Sequence, residues 1–147
     1  MPSISITIGP LGPVAVVFIA VSAPREAALK AAGQPVPQPV RGQFLIDSGA
    51  SSTVVDPALV NSLGLIPTGT VGIHTPSTNG VVQSCNQYDV ALYIPAATGV
   101  AGCLVNALPI IESPLASQGI DGLIGRDLMD NWACFYNGPS KIFTFSY

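Results

Sequence analysis

Charge is the scarcest property of this chain. Of its 147 residues, 9% are Asp, Glu, Lys or Arg, against 48% that are apolar. Ordinary globular domains carry about 25% charged residues, so an unusually large share of this chain must be buried in its own core or against a partner. Basic residues are few: five Lys and Arg against eight Asp and Glu leave a net charge of −3. That excludes the basic footprint of a nucleic-acid-binding surface and of electrostatic docking to an anionic membrane. The three cysteines, Cys85, Cys103 and Cys134, form no Cys-x-x-Cys and no Cys/His cluster. No metal site and no cofactor is therefore expected. An odd number of thiols cannot pair completely within one chain; reduced, buried cysteines are the simplest reading, and they favour a reducing compartment. Long hydrophobic runs are missing too. The longest, "PVAVVFIAV" (13–21), falls well short of the roughly 20 residues a membrane-crossing helix needs, and its β-branched content reads as a buried strand. "MPSISITIGPLG" has no Lys or Arg, so it does not read as a secretory leader. Stable membrane insertion is not expected, and a cytoplasmic location is favoured.

What is abundant is punctuation. Fifteen glycines and 14 prolines break the chain into short apolar runs at the spacing of an all-β domain. Strands are expected at 3–8, 14–22, 42–47, 70–75, 81–95, 102–111, 122–125 and 141–147. In the fifth of these, "QYDVALYI" alternates with period two, as a half-buried strand does. Helices are expected at 24–33, where Pro24 and Glu26 open and Gly33 closes, and at 56–65, where Asp56 caps, Pro57 begins and Gly64 ends. A short third is expected at 126–132. Residues 33–42 are a Pro-rich, extended connector. The chain reads as one domain, 1–147: an N-terminal strand, helix and connector over 1–40, then a core over 41–147.

One stretch asks for chemistry. In "FLIDSGASSTVV" (44–55) an oily run leads into Asp47, then into Ser48, Gly49 and Ala50, and turns oily again. A bare Asp-Ser-Gly is usually a turn. Here it ends a continuous hydrophobic strand and is followed by a return into the core. Gly49, lacking Cβ, lets backbone approach the carboxylate, and backbone N–H groups with the Ser48 hydroxyl could fix its orientation. A rigid carboxylate at a strand tip suits general acid/base chemistry on water.

That segment resembles the active-site loop of the aspartic proteases. A second segment, "GIDGLIGRDLMDNW" (119–132), resembles the strand, Gly-Arg turn and short helix of the retroviral-type members, which pack behind the catalytic loop. The helix after the loop is closer to bacterial and cellular retropepsin-like proteins. The resemblance runs over roughly 40–147. It implies an all-β, retropepsin-like closed barrel or sandwich with a flap hairpin and one to three short helices. By the same resemblance Asp47 is catalytic, Ser48, Gly49 and Ala50 complete the active-site loop, and Gly125, Arg126 and Asp127 support it. One departure stands out: viral members usually carry an Asp four residues after the catalytic one, paired with the Arg of the Gly-Arg turn. Here that position is Ser51, so Arg126 needs another partner.

The chemistry of the family needs two carboxylates sharing one proton, and this chain has one Asp-Ser-Gly. Asp121-Gly122 lacks the hydroxyl residue. The resemblance therefore implies a two-fold homodimer with an Asp47 from each copy, and terminal strands such as "KIFTFSY" (141–147) at the interface. It also implies a flap over a protein or peptide substrate. The best segment is the turn cluster formed by Ile73, His74, Thr75, Pro76, Ser77, Thr78, Asn79 and Gly80. His74 reads as an exposed flap residue or a substrate neighbour; a Ser/His triad lacks its Gly-x-Ser-x-Gly elbow. Trp132 reads as core or interface. Three functions remain in view: an aspartic endopeptidase, the same fold as a dimerisation or peptide-binding module with little turnover, and a plain structural β-domain.

Overall fold

The prolines and glycines end strands where the sequence places them, and the alternating apolar runs pair into one continuous sheet. The computed structural model describes residues 1–74 and 79–147. Ten strands follow in chain order: β1 (Ser3–Gly9), β2 (Gly12–Val21), β3 (Val40–Ile46), β4 (Val54–Val55), β5 (Gly69–Ile73), β6 (Gln83–Ile94), β7 (Cys103–Glu112), β8 (Gly122–Ile124), β9 (Ala133–Asn137) and β10 (Ile142–Ser146). The helices are α1 (Ala23–Ala31), α2 (Pro57–Ser62) and α3 (Arg126–Met129), with one 3-10 turn at Ala116–Gln118.

The strand order is β5-β6-β7-β4-β8-β3-β2-β1-β10-β9, and β6 also pairs with β2. That extra ladder closes β2, β3, β8, β4, β7 and β6 into a six-stranded barrel, and closure removes the free edges a flat sheet would expose. Inside it Val17, Ile19, Phe44, Val55, Val90, Leu92, Ile110 and Ile124 are fully buried. Most of the ladders are antiparallel. The exceptions are β3 with β8 and β4 with β7, which run parallel. β1, β10 and β9 continue the sheet beyond the barrel.

Three features differ from the sequence reading. The barrel is not confined to 41–147, because β2 is one of its staves, pairing with β3 on one side and β6 on the other. The third helix stops at Met129 instead of 132, and the chain continues as β9, a strand the periodicity did not reveal. β10 is paired on both sides within the chain, by β1 and β9, and its Phe143 and Phe145 are buried in the core. Trp132 stacks on Phe145 with centroids 4.4 Å apart. The terminal segment thus offers no edge of its own to a partner; the sheet ends instead at β9 on this side and at β5 on the other. Of the thiols, Cys85 and Cys103 are buried as expected, and Cys134 is exposed.

The two longer helices begin as their residues dictate. Ser22 caps α1, and Asp56 caps α2 by accepting from the Ala58 N–H at 2.9 Å. Asp56 does more than cap. It is 6% exposed, and its second oxygen accepts from the Leu115 and Ala116 N–H groups at 2.7 and 2.9 Å. One carboxylate therefore ties α2 to the loop that follows β7. Burial alone would raise the Asp56 pKa, but the N–H donors of Leu115, Ala58 and Ala116 outweigh it and hold the carboxyl below its ordinary value.

Since the folded pKa lies below the unfolded value of about 3.9, the stability Asp56 contributes is complete above that value. It is lost as pH falls through the folded pKa. Asp56→Ala should cost about 2–4 kcal/mol at pH 7, from a lost cap and stranded buried donors. Asp56→Asn should be less stable than wild type at pH 7 and approach it near pH 3. Urea midpoints at the two pH values check this, and a gap that widens on acidification would contradict it.

Candidate active site

The site is set by one pair of parallel strands. β3 and β8 lie side by side with Phe44 opposite Gly122, Leu45 opposite Leu123 and Ile46 opposite Ile124. The ladder continues past the strands, where the Asp47 N–H donates to the Ile124 carbonyl at 2.9 Å. The same offset of 78 residues relates Gln43 to Asp121 and Ser48 to Arg126, both joined by hydrogen bonds. The loop after β3 and the turn after β8 are thus neighbours because of the register.

Asp47 stands half-buried at the rim, less enclosed than its oily approach suggests, with Ser48 and Gly49 exposed. The Gly49 N–H donates to Asp47 Oδ1 at 2.8 Å, and the Ala50 N–H to the Asp47 carbonyl at 3.2 Å. A Cβ on Gly49 would lie 3.0 Å from Asp47 Oδ1, so a larger residue would crowd the carboxylate. The Ser48 hydroxyl makes no hydrogen bond to Asp47 among the described residues; the backbone does the orienting.

Arg126 finds the partner that Ser51 does not supply: its guanidinium donates to the Ser48 carbonyl at 2.8 Å, and its N–H donates to the Ala50 carbonyl at 2.9 Å. A second tie comes from Asp127. Its Oδ2 accepts from the Thr53 N–H at 2.8 Å, and its Oδ1 accepts from the Thr53 hydroxyl at 2.8 Å and the Leu128 N–H at 3.0 Å. The Thr53 hydroxyl in turn accepts from the Gly125 N–H at 3.3 Å. Thr53 is fully buried. Gly125 is needed for contact: a Cβ there would stand 2.5 Å from the Ser52 carbonyl carbon and 2.6 Å from its oxygen. Asp121 is engaged in architecture, its Oδ2 accepting from the Gln43 N–H at 2.8 Å.

In front of Asp47 lies a cavity of about 290 Å³. Ser51 and Ser52 give it polar walls, Val54, Ile111 and Leu123 apolar ones, and Ile73 with His74 come over it from the end of β5. β5 pairs with β6 from Gly69–Gln87 to Ile73–Gln83, so Ile73 and His74 line the same cavity as Asp47, Gly49 and Ala50. Thr75, Pro76, Ser77 and Thr78 lie outside the described residues. Asn79 and Gly80 are exposed, with φ of 48° and 79°, conformations suited to a turn. Cavities elsewhere are larger, such as the one of about 510 Å³ lined by Phe18, Tyr93 and Leu104. The acid there, Glu26, is paired with Lys30 at 2.5 Å. Burial pushes the Cys85 and Cys103 thiols up, so neither is a ready nucleophile.

A family model for aspartyl proteases matches residues 27–128, a span that includes the Asp47 loop and the Gly125-Arg126 turn. The chain belongs to the aspartyl protease family. Among solved structures, this chain is similar in fold to a retropepsin-like aspartic protease from Rickettsia conorii. The TM-score is 0.62 at 13% identity, over 99% of this chain and 90% of the other. No curated protein is detectably similar in sequence. The closed six-stranded barrel with few short helices is the retropepsin-like fold.

Sequence reasoning named Asp47, Gly125, Arg126 and Asp127 but not Thr53, nor the walls Val54, Ile111 and Leu123. Thr53 could have been suspected as the lone hydroxyl residue entering the apolar "TVV". The walls depend on strand register, which no local pattern carries. Thr53→Val keeps the shape and removes the hydroxyl, leaving Asp127 and the Gly125 N–H each short of a partner. It should cost about 1–3 kcal/mol, measured by denaturant midpoints, while Thr53→Ser restores most of that. Equal stability of Val and Ser variants would remove the clasp from the account.

Proposed function

We propose that this member of the aspartyl protease family is an endopeptidase whose site is completed by a second copy, each chain supplying one Asp47. The observation that carries the reading is a carboxylate oriented by its own loop backbone at the rim of a cavity. Asp56, Asp121 and Asp127 all hold backbone N–H groups. Asp47 Oδ2 has no hydrogen-bond partner among the described residues, which leaves it to face a water or the partner carboxyl.

The chemistry follows from two carboxylates that share one proton, because two like charges that close do not both ionise. The ionised member takes a proton from the water held between them. The water oxygen forms a bond to the peptide carbonyl carbon, and the protonated member gives its proton to the carbonyl oxygen. A proton is then delivered to the amide nitrogen as the C–N bond breaks, releasing an acid and an amine. Val54, Ile111 and Leu123 give the substrate apolar contact, and Ile73 and His74 close over it to exclude water.

Asp47→Asn retains the shape and removes the ionisable group. It should leave a folded protein with peptide cleavage reduced by several orders of magnitude. Asp121→Asn should retain much of the activity, since an amide oxygen still accepts from Gln43. The reverse ranking would overturn the assignment. The wild-type rate should pass through an optimum with pH, falling on both sides as the shared proton is lost or a second is gained. Activity per chain should also decline on dilution, because only dimers carry a pair. An undiminished rate from a 15.0 kDa species would sink the two-chain site. A stable dimer that cleaves no peptide would instead favour a binding module.

A further inference from the structure

The arm that brings Ile73 and His74 over the Asp47 cavity is a ribbon of two strands. β5 pairs with β6 alone, and β6 pairs with β7 only as far out as Gln87, opposite Ile111. Outward of that pair the arm has no third strand beside it. A two-stranded ribbon is marginally stable in water, so its pose over the cavity needs support at the root. Part of that support is backbone: the Gln87 carbonyl accepts from the Thr68 N–H at 2.8 Å and from the Thr68 hydroxyl at 3.1 Å.

The rest comes from Glu112, the last residue of β7. Its Oε2 accepts from Asn86 Nδ2 at 2.9 Å and from the Tyr88 hydroxyl at 3.2 Å. Asn86 is exposed and is the first residue of β6 beyond the ladder with β7. Tyr88 is buried and belongs to the core. Burial and then the Glu112 charge raise the Tyr88 pKa, which keeps the phenol a donor. One carboxylate oxygen therefore joins a core ring to the arm. Among the described residues, the Asn86–Glu112 contact is the one side-chain hydrogen bond between arm and barrel. Glu112 is itself held by β4, opposite Val55. The neighbouring pair, Ile111 with Val54, forms a wall of the Asp47 cavity. The carboxylate and that wall thus belong to one piece of sheet.

We propose that Glu112 is a positioning residue for the peptide site: by holding Asn86 it fixes the angle of the arm, and so the approach of Ile73 and His74 to a peptide bound at Asp47. The inference rests on the endopeptidase reading of Asp47 and deepens it by naming what poises the arm. Glu112 touches no substrate and moves no proton. Its contribution is preorganisation. An arm that is free before binding must be ordered each time a peptide enters, and that ordering weakens affinity. An arm already held by Glu112 loses less. The effect therefore falls on peptide binding more than on the chemical step, and its signature is a raised KM with kcat nearly unchanged.

The test breaks the tie and then rebuilds it with its ends exchanged. Asn86→Ala acts at an exposed residue and leaves the core intact. It should raise KM for a fluorogenic peptide about fivefold, with kcat within about twofold of wild type. Glu112→Ala should do the same, and the double variant should be no worse than either single one, because both remove one contact. Asn86→Asp sets two carboxylates opposite each other and should raise KM further. Adding Glu112→Gln to Asn86→Asp restores a donor facing an acceptor and should return KM close to the wild-type value. Hydrogen exchange reads the same tie without turnover: amides at 69–73 and 83–86 should exchange faster in Asn86→Ala, while those of β2 and β3 stay as protected as before. Unchanged KM and unchanged arm exchange in Asn86→Ala would overturn the positioning role and leave the endopeptidase reading standing. A defect in Asn86→Asp that Glu112→Gln does not repair would overturn it as well. A wild-type protein that cleaves no peptide would remove the endopeptidase reading, and the positioning role with it.

Discussion

Everything at the site hangs on the parallel ladder between β3 and β8. Its register puts Asp47 beside Gly125 and Ser48 beside Arg126, so that two segments far apart in the chain become one rigid piece. The tolerance is small, since a Cβ at Gly125 would strike the Ser52 backbone. A slip of one residue would turn every side chain of β3 to the opposite face. It would pull Phe44 and Ile46 from the core and carry Asp47 away from the cavity. The barrel guards against that slip because β3 is also laddered to β2, whose own second edge is locked by β6.

Few charges does not mean idle ones. Three carboxylates are spent on architecture, and each does so by collecting backbone N–H donors where no strand partner is available. Asp56 gathers three, Asp127 takes both donors of Thr53 together with the Leu128 N–H, and Asp121 takes Gln43. Buried N–H groups must find an acceptor somewhere, and a carboxylate can satisfy several at once. Asp47 differs in place: it lines a cavity at the end of β3, and the Gly49 N–H donates to one of its oxygens.

Much of this was legible in the sequence where the signal was local. The caps at Ser22 and Asp56 and the alternation of β6 report on nearby residues, and the helices and strand appear where such patterns put them. The Asp47 loop stood out because a charge at the end of an oily strand, followed by residues of little bulk, breaks the ordinary pattern. Illegible were the features that depend on distant partners. β9 shows no alternation because both of its faces are exposed in one chain, so the periodicity that betrays a strand was absent. The role of β2 as a stave lies in its pairing with β6, which no window of sequence contains. The terminal strand was legible as a strand but misplaced, since its apolar residues serve this chain's own core.

The position of β2 carries a consequence for how the molecule could be controlled. The Pro-rich connector that follows α1 is the natural place for a protease to cut, and Gln34, Pro35, Gln38 and Pro39 are exposed in it. A cut there would not release an inhibitory leader. The severed piece would still be gripped by β3 and β6 along β2 and by β10 along β1, and the barrel would persist as a nicked, two-fragment particle. Shedding the piece altogether would leave the barrel one stave short, with Val17 and Ile19 gone from the wall of the core. Loss of the whole segment would therefore open the barrel.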